Sequence, residues 1–298
     1  MCNTHLSALT FLQQRHQVAF HVDRAYSADT MQPLNSKEVW TIEQPYILKQ
    51  LRAPVISNIE IMPRVHLLRI RAPEIAKVSC PGQFVMVRCG EGYDLLLRRP
   101  ISIHDVDGEH IDVLFKIVGR GTEWLSQVQV KDQLDVLGPL GNGFSVDESS
   151  RNILLVAGGI GVAPLKMLAK QIINSEKSVT LLIGAETATL VYPNKLLPSG
   201  LNFVVITEDG STGRLGRVTD LIPEFAKQAD QIFAAGPLPM YSTMASQRCL
   251  KNKLVQVTLE MRMGCGMGAC YACTIKTKNG LKQVCKNGPV FEMNDLHL

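Results

Sequence analysis

From about residue 52 the apolar positions alternate with polar ones in short runs, at 55–61, 65–71, 83–87, 101–104, 111–117 and 133–136. Turn formers such as Pro63, Pro73, Pro81-Gly82 and Asp107-Gly108 separate them. A period of two over runs this short predicts strands with one buried face, and six at this cadence predict a small antiparallel barrel over 51–148. Beyond Arg151 the apolar runs become continuous, at 152–157, 179–183, 202–207 and 231–234. Helical spacing falls between them, through Ile173, over 218–227 and over 238–251. Buried strands alternating with helices predict a parallel sheet over 149–253. The fold class is therefore multidomain, β followed by α/β, with a small cysteine-bearing module expected over 254–298. Residues 1–50 show little periodicity and read as an extension, whose His5, His16 and His21 have nothing to order them as a metal site.

At 298 residues the chain exceeds one typical domain, and 46% apolar content is ample for compact cores. A net charge of +4 from dispersed basic residues, with 6% aromatics, gives no basis for nucleic-acid binding. No window approaches the length of an apolar membrane span, and the first twenty or so residues lack the build of a secretory signal. A cytoplasmic location is the expectation, and free thiols fit a reducing compartment.

The candidate chemistry concentrates in Cys265, Cys270, Cys273 and Cys285, spaced C-x4-C-x2-C-x11-C and interleaved with Gly264, Gly266 and Gly268. One tight loop with three thiolates, closed by a distant fourth, is the spacing of a plant-type [2Fe–2S] site. Glycines let such a loop adopt positive φ and aim its amides at sulfur. A zinc site, which usually shows two short cysteine pairs, and unligated buried cysteines are the alternatives. The scattered Cys2, Cys80, Cys89 and Cys249 read as small hydrophobes.

A second candidate is the turn Gly158-Gly-Ile-Gly-Val-Ala-Pro164 between a buried strand and a helix, where backbone amides can approach a pyrophosphate. Tight packing alone also explains such glycines. In the barrel, Arg98-Arg-Pro-Ile-Ser102 offers a strand-held guanidinium to a phosphate, unless both arginines are a solvated strand end. Gly119-Arg-Gly-Thr122 precedes a short helical run, again suited to an anion. After the second strand of the α/β part, Glu186 in Gly184-Ala-Glu-Thr187 can accept a ribose hydroxyl and would repel a 2′-phosphate. Arg214 and Arg217 could oppose that preference, or be solvated charge. No Ser-His-Asp or Cys-His grouping appears, so no catalytic side chain is assigned.

These motifs stand in a telling order. Together with Leu137-Gly-Pro-Leu-Gly-Asn-Gly-Phe144, Gly236-Pro-Leu-Pro-Met240 and the loop Met263-Gly-Cys-Gly-Met-Gly-Ala-Cys-Tyr-Ala-Cys273, they resemble the electron-transfer subunits of NAD-linked dihydroorotate dehydrogenase. These belong to the ferredoxin reductase superfamily. The resemblance implies that Arg99, Pro100, Ile101 and Ser102 bind FAD, Arg99 at the pyrophosphate and Ser102 near the isoalloxazine. It implies that Lys116, Ile117 and Val118 line the flavin nucleotide while Gly121 and Thr122 hold phosphates. Gly158, Gly159, Gly161, Pro164, Gly236 and Pro237 would shape the NAD site, and the four cysteines would ligate a [2Fe–2S] cluster. Many reductases place Cys before the second Gly-Pro, where this chain has Ala235.

The resemblance further implies a separate FMN-containing catalytic subunit that oxidises dihydroorotate in pyrimidine biosynthesis, in a heterotetramer with two of each subunit. Electrons would pass from that FMN through the cluster and FAD to NAD⁺. Related subunits serve hydrogenases or ferredoxin and NADPH, and these remain alternative partners. No nucleic acid or membrane is expected to take part.

Overall fold

The computed structural model describes residues 48–90 and 92–298. The extension expected over 1–50, with His5, His16 and His21, lies outside the described residues as far as position 47, and the first strand starts at Lys49. Strands β1 (Lys49–Met62), β2 (Val65–Arg71), β3 (Phe84–Val87), β4 (Arg99–Asp107), β5 (His110–Lys116) and β6 (Gln133–Leu140) close into an antiparallel barrel ordered β1-β2-β5-β4-β3-β6. Short helices α1 (Pro73–Ala76) and α2 (Arg120–Ser126) lie in its connections. The period of two does its expected work. Val85 and Val87, Ile101 and Ile103, Ile111 and Val113, and Leu134 and Val136 all point into the barrel.

Strand β1 is longer than its alternation suggested. Residues 49–54 pair with β6 and the rest with β2, and Pro54, which has no N–H for a ladder, stands where the partner changes.

Next come β7 (Asn152–Gly158), α3 (Val162–Ile173), β8 (Ser178–Ala185), β9 (Asn202–Thr207), β10 (Arg214–Leu215), α4 (Val218–Phe225), β11 (Gln231–Ala235) and α5 (Leu238–Ser246). Helix α5 stops earlier than expected, since Gln247 leaves helical backbone and donates its side-chain amide to the Thr219 carbonyl. The chain ends with β12 (Leu254–Thr258), the hairpin β13 (Thr274–Thr277) and β14 (Gly280–Gln283), α6 (Val284–Asn287) and β15 (Val290–Glu292).

The large sheet runs β10-β9-β8-β7-β11-β12-β15, parallel except for β15. This corrects the expected start of the cysteine module at 254. Strand β12 is a buried parallel strand of the sheet, and β15 returns from the module to cap its edge. Between them lie the cysteine loop, the hairpin and α6.

The parts share their cores. Phe84, Met86, Leu137 and Leu140 of the barrel pack in one cluster with Leu154 and Val156 of the sheet and with Met263, Cys273, Val284 and Cys285. Met62, Val65 and Leu114 of the barrel join Val162, Leu165 and Leu168 of α3. The barrel and α3 are also joined by buried polar groups on β4. Lys166 and Lys170 reach the Asp105 carboxylate at 2.8 and 3.2 Å. Fully buried His104 contacts the Ala163 carbonyl through Nδ1 (2.9 Å) and the Tyr192 hydroxyl through Nε2 (2.8 Å). The carbonyl can only accept, so Nδ1 carries the proton and Nε2 accepts from Tyr192.

Burial, reinforced by the charge of Lys166, holds His104 down at about 4 from its ordinary 6.5. The unfolded chain therefore takes up this proton first as pH falls. The His104 contribution is complete above the ordinary value and drains away towards about 4, by roughly 3 kcal/mol at most. His66, also lowered by burial, acts with the same sign. Urea midpoints of the full chain should fall steadily from about pH 7 to about pH 5. Midpoints that do not change would mean that His104 is charged in the fold.

Candidate functional site

The cysteine loop leaves β12 and returns through α6, so its four thiols are gathered from a turn and a helix braced on one sheet edge. Six amides point at them. Met267, Ala269 and Cys270 donate to Cys265 Sγ at 3.4, 3.2 and 3.4 Å; Cys265 to Cys270 Sγ at 3.4 Å; Cys285 to Cys273 Sγ at 3.4 Å; and Gly268 to Cys285 Sγ at 3.1 Å. Positive φ at Gly266 (76°) and Gly268 (86°) gives the loop this shape. A Cβ on Gly266 would also lie 2.5 Å from Met86 Cγ, so the loop rests directly on β3 of the barrel.

The thiols form two pairs, Cys265 beside Cys270 and Cys273 beside Cys285. Cys273 and Cys285 are buried, Cys265 is half-buried and Cys270 is exposed. Although burial raises the Cys265 thiol, the amides directed at it bring it down to about 7, while burial pushes Cys285 up to about 12. The donor set fits an anionic iron–sulfur group. Met261, Met267 and Tyr271 stand exposed around the outer pair.

The two arginines opening β4 have different fates. Arg98 is committed to β6, donating to the Asp135 carboxylate (2.7 Å) and carbonyl (3.0 Å). Arg99 instead donates to the Leu97 carbonyl and lies over Gly121 in the first turn of α2, so closely that a Cβ there would overlap its guanidinium. This cradle suits an anion: a guanidinium above the start of a helix whose first amides have no partners within it.

Ile101 faces the barrel core, so only its backbone can meet a ligand, whereas Pro100 and Ser102 are half-buried. The Thr122 hydroxyl accepts from the Val118 and Gly119 amides (2.9 and 3.2 Å) and donates to the Gly119 carbonyl (3.0 Å). It shapes the loop after β5, which begins at Ile117 beyond the last strand residue, Lys116. Val118 is 79% exposed and Leu96 69%. Arg120 pairs with Asp94 and ties the turn that carries Leu96 to the start of α2.

The third region lies at the C-terminal ends of β7 and β11. From β7 the sheet is built outward one way through β8 and β9, and the other way through β11 and β12. A crevice at such a switch point is where open α/β sheets take ligands. Gly158 and Gly236 face each other across it, a Cβ on Gly236 falling 3.3 Å from Gly158 Cα. Gly161 abuts the Ala235 carbonyl, and Pro164 is buried in the first turn of α3. Thus Gly161 is a packing glycine, while Gly159, with φ +57° and open space beside it, leaves the turn accessible. Pro237 caps α5. The Ala235 methyl is buried in the core under α3.

Glu186 is exposed just after β8. Arg214 is held by Glu224 and lies 5.9 Å above the Phe225 ring, and Arg217 faces Glu208 at 3.8 Å. Sequence reasoning missed three groups here. Tyr241 accepts from the Gly236 amide (2.8 Å) and donates to the Thr258 carbonyl (2.6 Å), and His104 anchors α3. Glu260 follows β12 with its carboxyl raised by desolvation. Only the helical spacing from Gly236 to Tyr241 left any trace in the sequence.

Known proteins share this arrangement. The family profile described as the iron-sulfur cluster binding domain of dihydroorotate dehydrogenase B matches residues 260–297. The dihydroorotate dehydrogenase B (NAD(+)) electron transfer subunit of Shouchella clausii is 37% identical over 259 residues, 84% of this chain and 99% of that protein. That of Geobacillus thermodenitrificans is 39% identical over 256 residues, 83% of this chain and 98% of that protein. Among solved structures, an NADH-dependent reduced ferredoxin-NADP oxidoreductase aligns with a TM-score of 0.75 and 28% identity, over 82% of this chain and 89% of that one. Spacing of the cysteines, order of the parts and identity along the whole described region agree, and the chain belongs to the family of dihydroorotate dehydrogenase B (NAD(+)) electron transfer subunits.

Proposed function

We propose that this chain is the electron-transfer subunit of an NAD-linked dihydroorotate dehydrogenase in pyrimidine biosynthesis, an oxidoreductase that uses FAD, a [2Fe–2S] cluster and NAD⁺. The observation that carries this reading is a two-pair thiol cage resting on the same barrel that holds the Arg99 cradle. Bound together, flavin and cluster would join one-electron transfer from a partner to two-electron reduction of a nicotinamide.

The chain's own residues bind, orient and shield. Cys265, Cys270, Cys273 and Cys285 hold the metal group, and the loop amides stabilise its negative charge. Arg99, above Gly121, takes the flavin pyrophosphate, with Pro100, the Ile101 backbone and Ser102 along β4. Lys116, Ile117 and Val118 border the flavin, on a loop shaped by Thr122. Gly158 and Gly159 admit the dinucleotide at a turn that Gly161 and Pro164 hold in shape by packing, Gly236 and Pro237 form the facing wall, and Glu186 receives ribose hydroxyls. With Arg214 held by Glu224, the crevice favours NAD over NADP.

The partner is a catalytic subunit. We assign it its own FMN, a heterotetramer of two such subunits with two of this chain, and contact through the Met267 and Tyr271 surface beside Cys270. No helix among the described residues is long and apolar enough to cross a membrane, and the cytoplasm is the proposed site of action. The likeness to a ferredoxin-NADP oxidoreductase favours a ferredoxin-linked partner as the second reading.

Anaerobic assay separates these readings. With an FMN catalytic subunit, the chain should reduce NAD⁺ at the expense of dihydroorotate, and neither subunit should do so alone. A complex that retains flavin and cluster and oxidises NADH with a dye, yet forms no NADH from dihydroorotate, would turn the assignment to ferredoxin. Cys270→Ser should abolish transfer from the partner while NADH-driven dye reduction through FAD persists; losing both in a folded, FAD-loaded protein would contradict this division of work. Arg99→Ala should remove a charge-assisted phosphate contact worth about 1.5–3 kcal/mol, weakening FAD retention roughly 10- to 100-fold in equilibrium dialysis. Full retention would take Arg99 out of the site.

A further inference from the structure

Strand β4 carries Arg99 and Ser102 at its start and His104 two residues past Ser102, about 7 Å along the strand. Its pairing with β5 slips at this point, because Ile103 faces Val113 while Asp105 faces Asp112. His104 is thus the extra residue of a β-bulge, a device that redirects side chains. Ile101 and Ile103 point into the barrel, whereas both His104 and Asp105 meet α3.

What His104 meets is the first turn of that helix. Ala163, whose carbonyl accepts the Nδ1 proton, lies two residues beyond Gly161 of the glycine turn. Tyr192, whose hydroxyl donates to Nε2, lies on the segment that follows Glu186 and is itself 1% exposed. One imidazole therefore joins the flavin strand, the start of the dinucleotide helix and the segment beyond the ribose carboxylate. Every polar atom in the chain from Tyr192 to Ala163 is satisfied, and no other protonation state of His104 satisfies all of them with these partners. Lys166 and Lys170, one and two turns along α3, hold Asp105 and fix the helix against rotation about this point.

We infer that His104 is a positioning residue for hydride exchange, setting the approach of the nicotinamide to the flavin through its bond to Ala163 and its acceptance from Tyr192. The inference rests on the reading given under Proposed function. It assigns His104 no contact with either nucleotide. Misplacement of reacting groups by about 1 Å costs up to about 100-fold in rate, so a residue acting only on geometry can have a large effect.

The test uses the complex with its catalytic subunit, mixed anaerobically and followed at the flavin absorbance. In His104→Leu, FAD reduction by NADH should slow roughly 10- to 100-fold, while FAD reduction from dihydroorotate stays within about twofold and FAD remains bound. The pair His104→Asn with Tyr192→Phe keeps a donor to Ala163 and removes the stranded hydroxyl, and should restore the NADH-driven rate to within about threefold. If His104→Leu does not fold, Tyr192→Phe alone carries the test, with a selective slowing of the NADH-driven step expected. Equal slowing from both donors, no slowing, or no recovery in the paired variant would overturn the inference. Wild-type complex in which NADH fails to reduce the flavin would overturn the underlying reading instead.

Discussion

The contact between strand β4 and helix α3 is the constraint on which the other parts depend. The apolar contact around it comes from neighbouring strands, with Met62 of β1, Val65 of β2 and Leu114 of β5 packed against Val162, Leu165 and Leu168. Apolar contact alone is non-directional and would allow the helix to slide. Directionality comes from the buried polar groups. Lys166 and Asp105 are only 14% and 9% exposed at their side chains, so moving them apart would strand a buried charge, a far larger cost than breaking a surface pair. Since β4 starts with Arg99 and Ser102 and α3 follows the glycine turn, the same contact sets the distance between the two candidate sites.

A similar economy governs the cysteine loop. It does not form an independent globule, because β12 and β15 at its ends belong to the large sheet and its floor is the barrel. Asn142, just after β6, donates its amide to the Gly288 carbonyl at 2.6 Å and fastens the barrel to the segment between α6 and β15. Cys273 and Cys285 belong to the same core as Phe84 and Leu154. A module of this size could not bury enough surface to stand alone. Sharing a core supplies that burial, and it also removes the freedom of the cysteine loop to drift from the barrel.

What was legible in the sequence was local. The cysteine spacing, the glycine turn after a buried strand and the alternation of the barrel strands are all written within a few residues, and the fold they implied is the one observed. What was hidden depends on residues distant in the chain. Arg98 and Arg99 are adjacent and chemically identical, and only Asp135, 37 residues on, separates the guanidinium tied to β6 from the one laid over Gly121. His104 and Tyr192 are 88 residues apart, and no periodicity connects them. The place of Pro54 at a change of partner exists only once β6 is present. The boundary at 254 was misplaced for a related reason: whether Leu254–Thr258 ends one domain or starts another is decided by its pairing with β11.

The charge around Glu186 illustrates how the fold resolves what the sequence left balanced. Two guanidiniums after β9 could in principle attract a 2′-phosphate, and counting charges does not exclude it. Arg214, however, makes two contacts with the Glu224 carboxylate on α4 and lies over Phe225, so recruiting it would abandon a bidentate pair and a cation–π contact together. Arg217 already faces Glu208, which immediately follows β9. The two positive charges are thus locally matched, and an added phosphate dianion would meet Glu186 without a free counter-charge from either. In the proposed reading ribose hydroxyls need only an acceptor, which that carboxylate would supply. Discrimination of this kind comes from unpaired repulsion as much as from attraction, and here it follows from where α4 places Glu224.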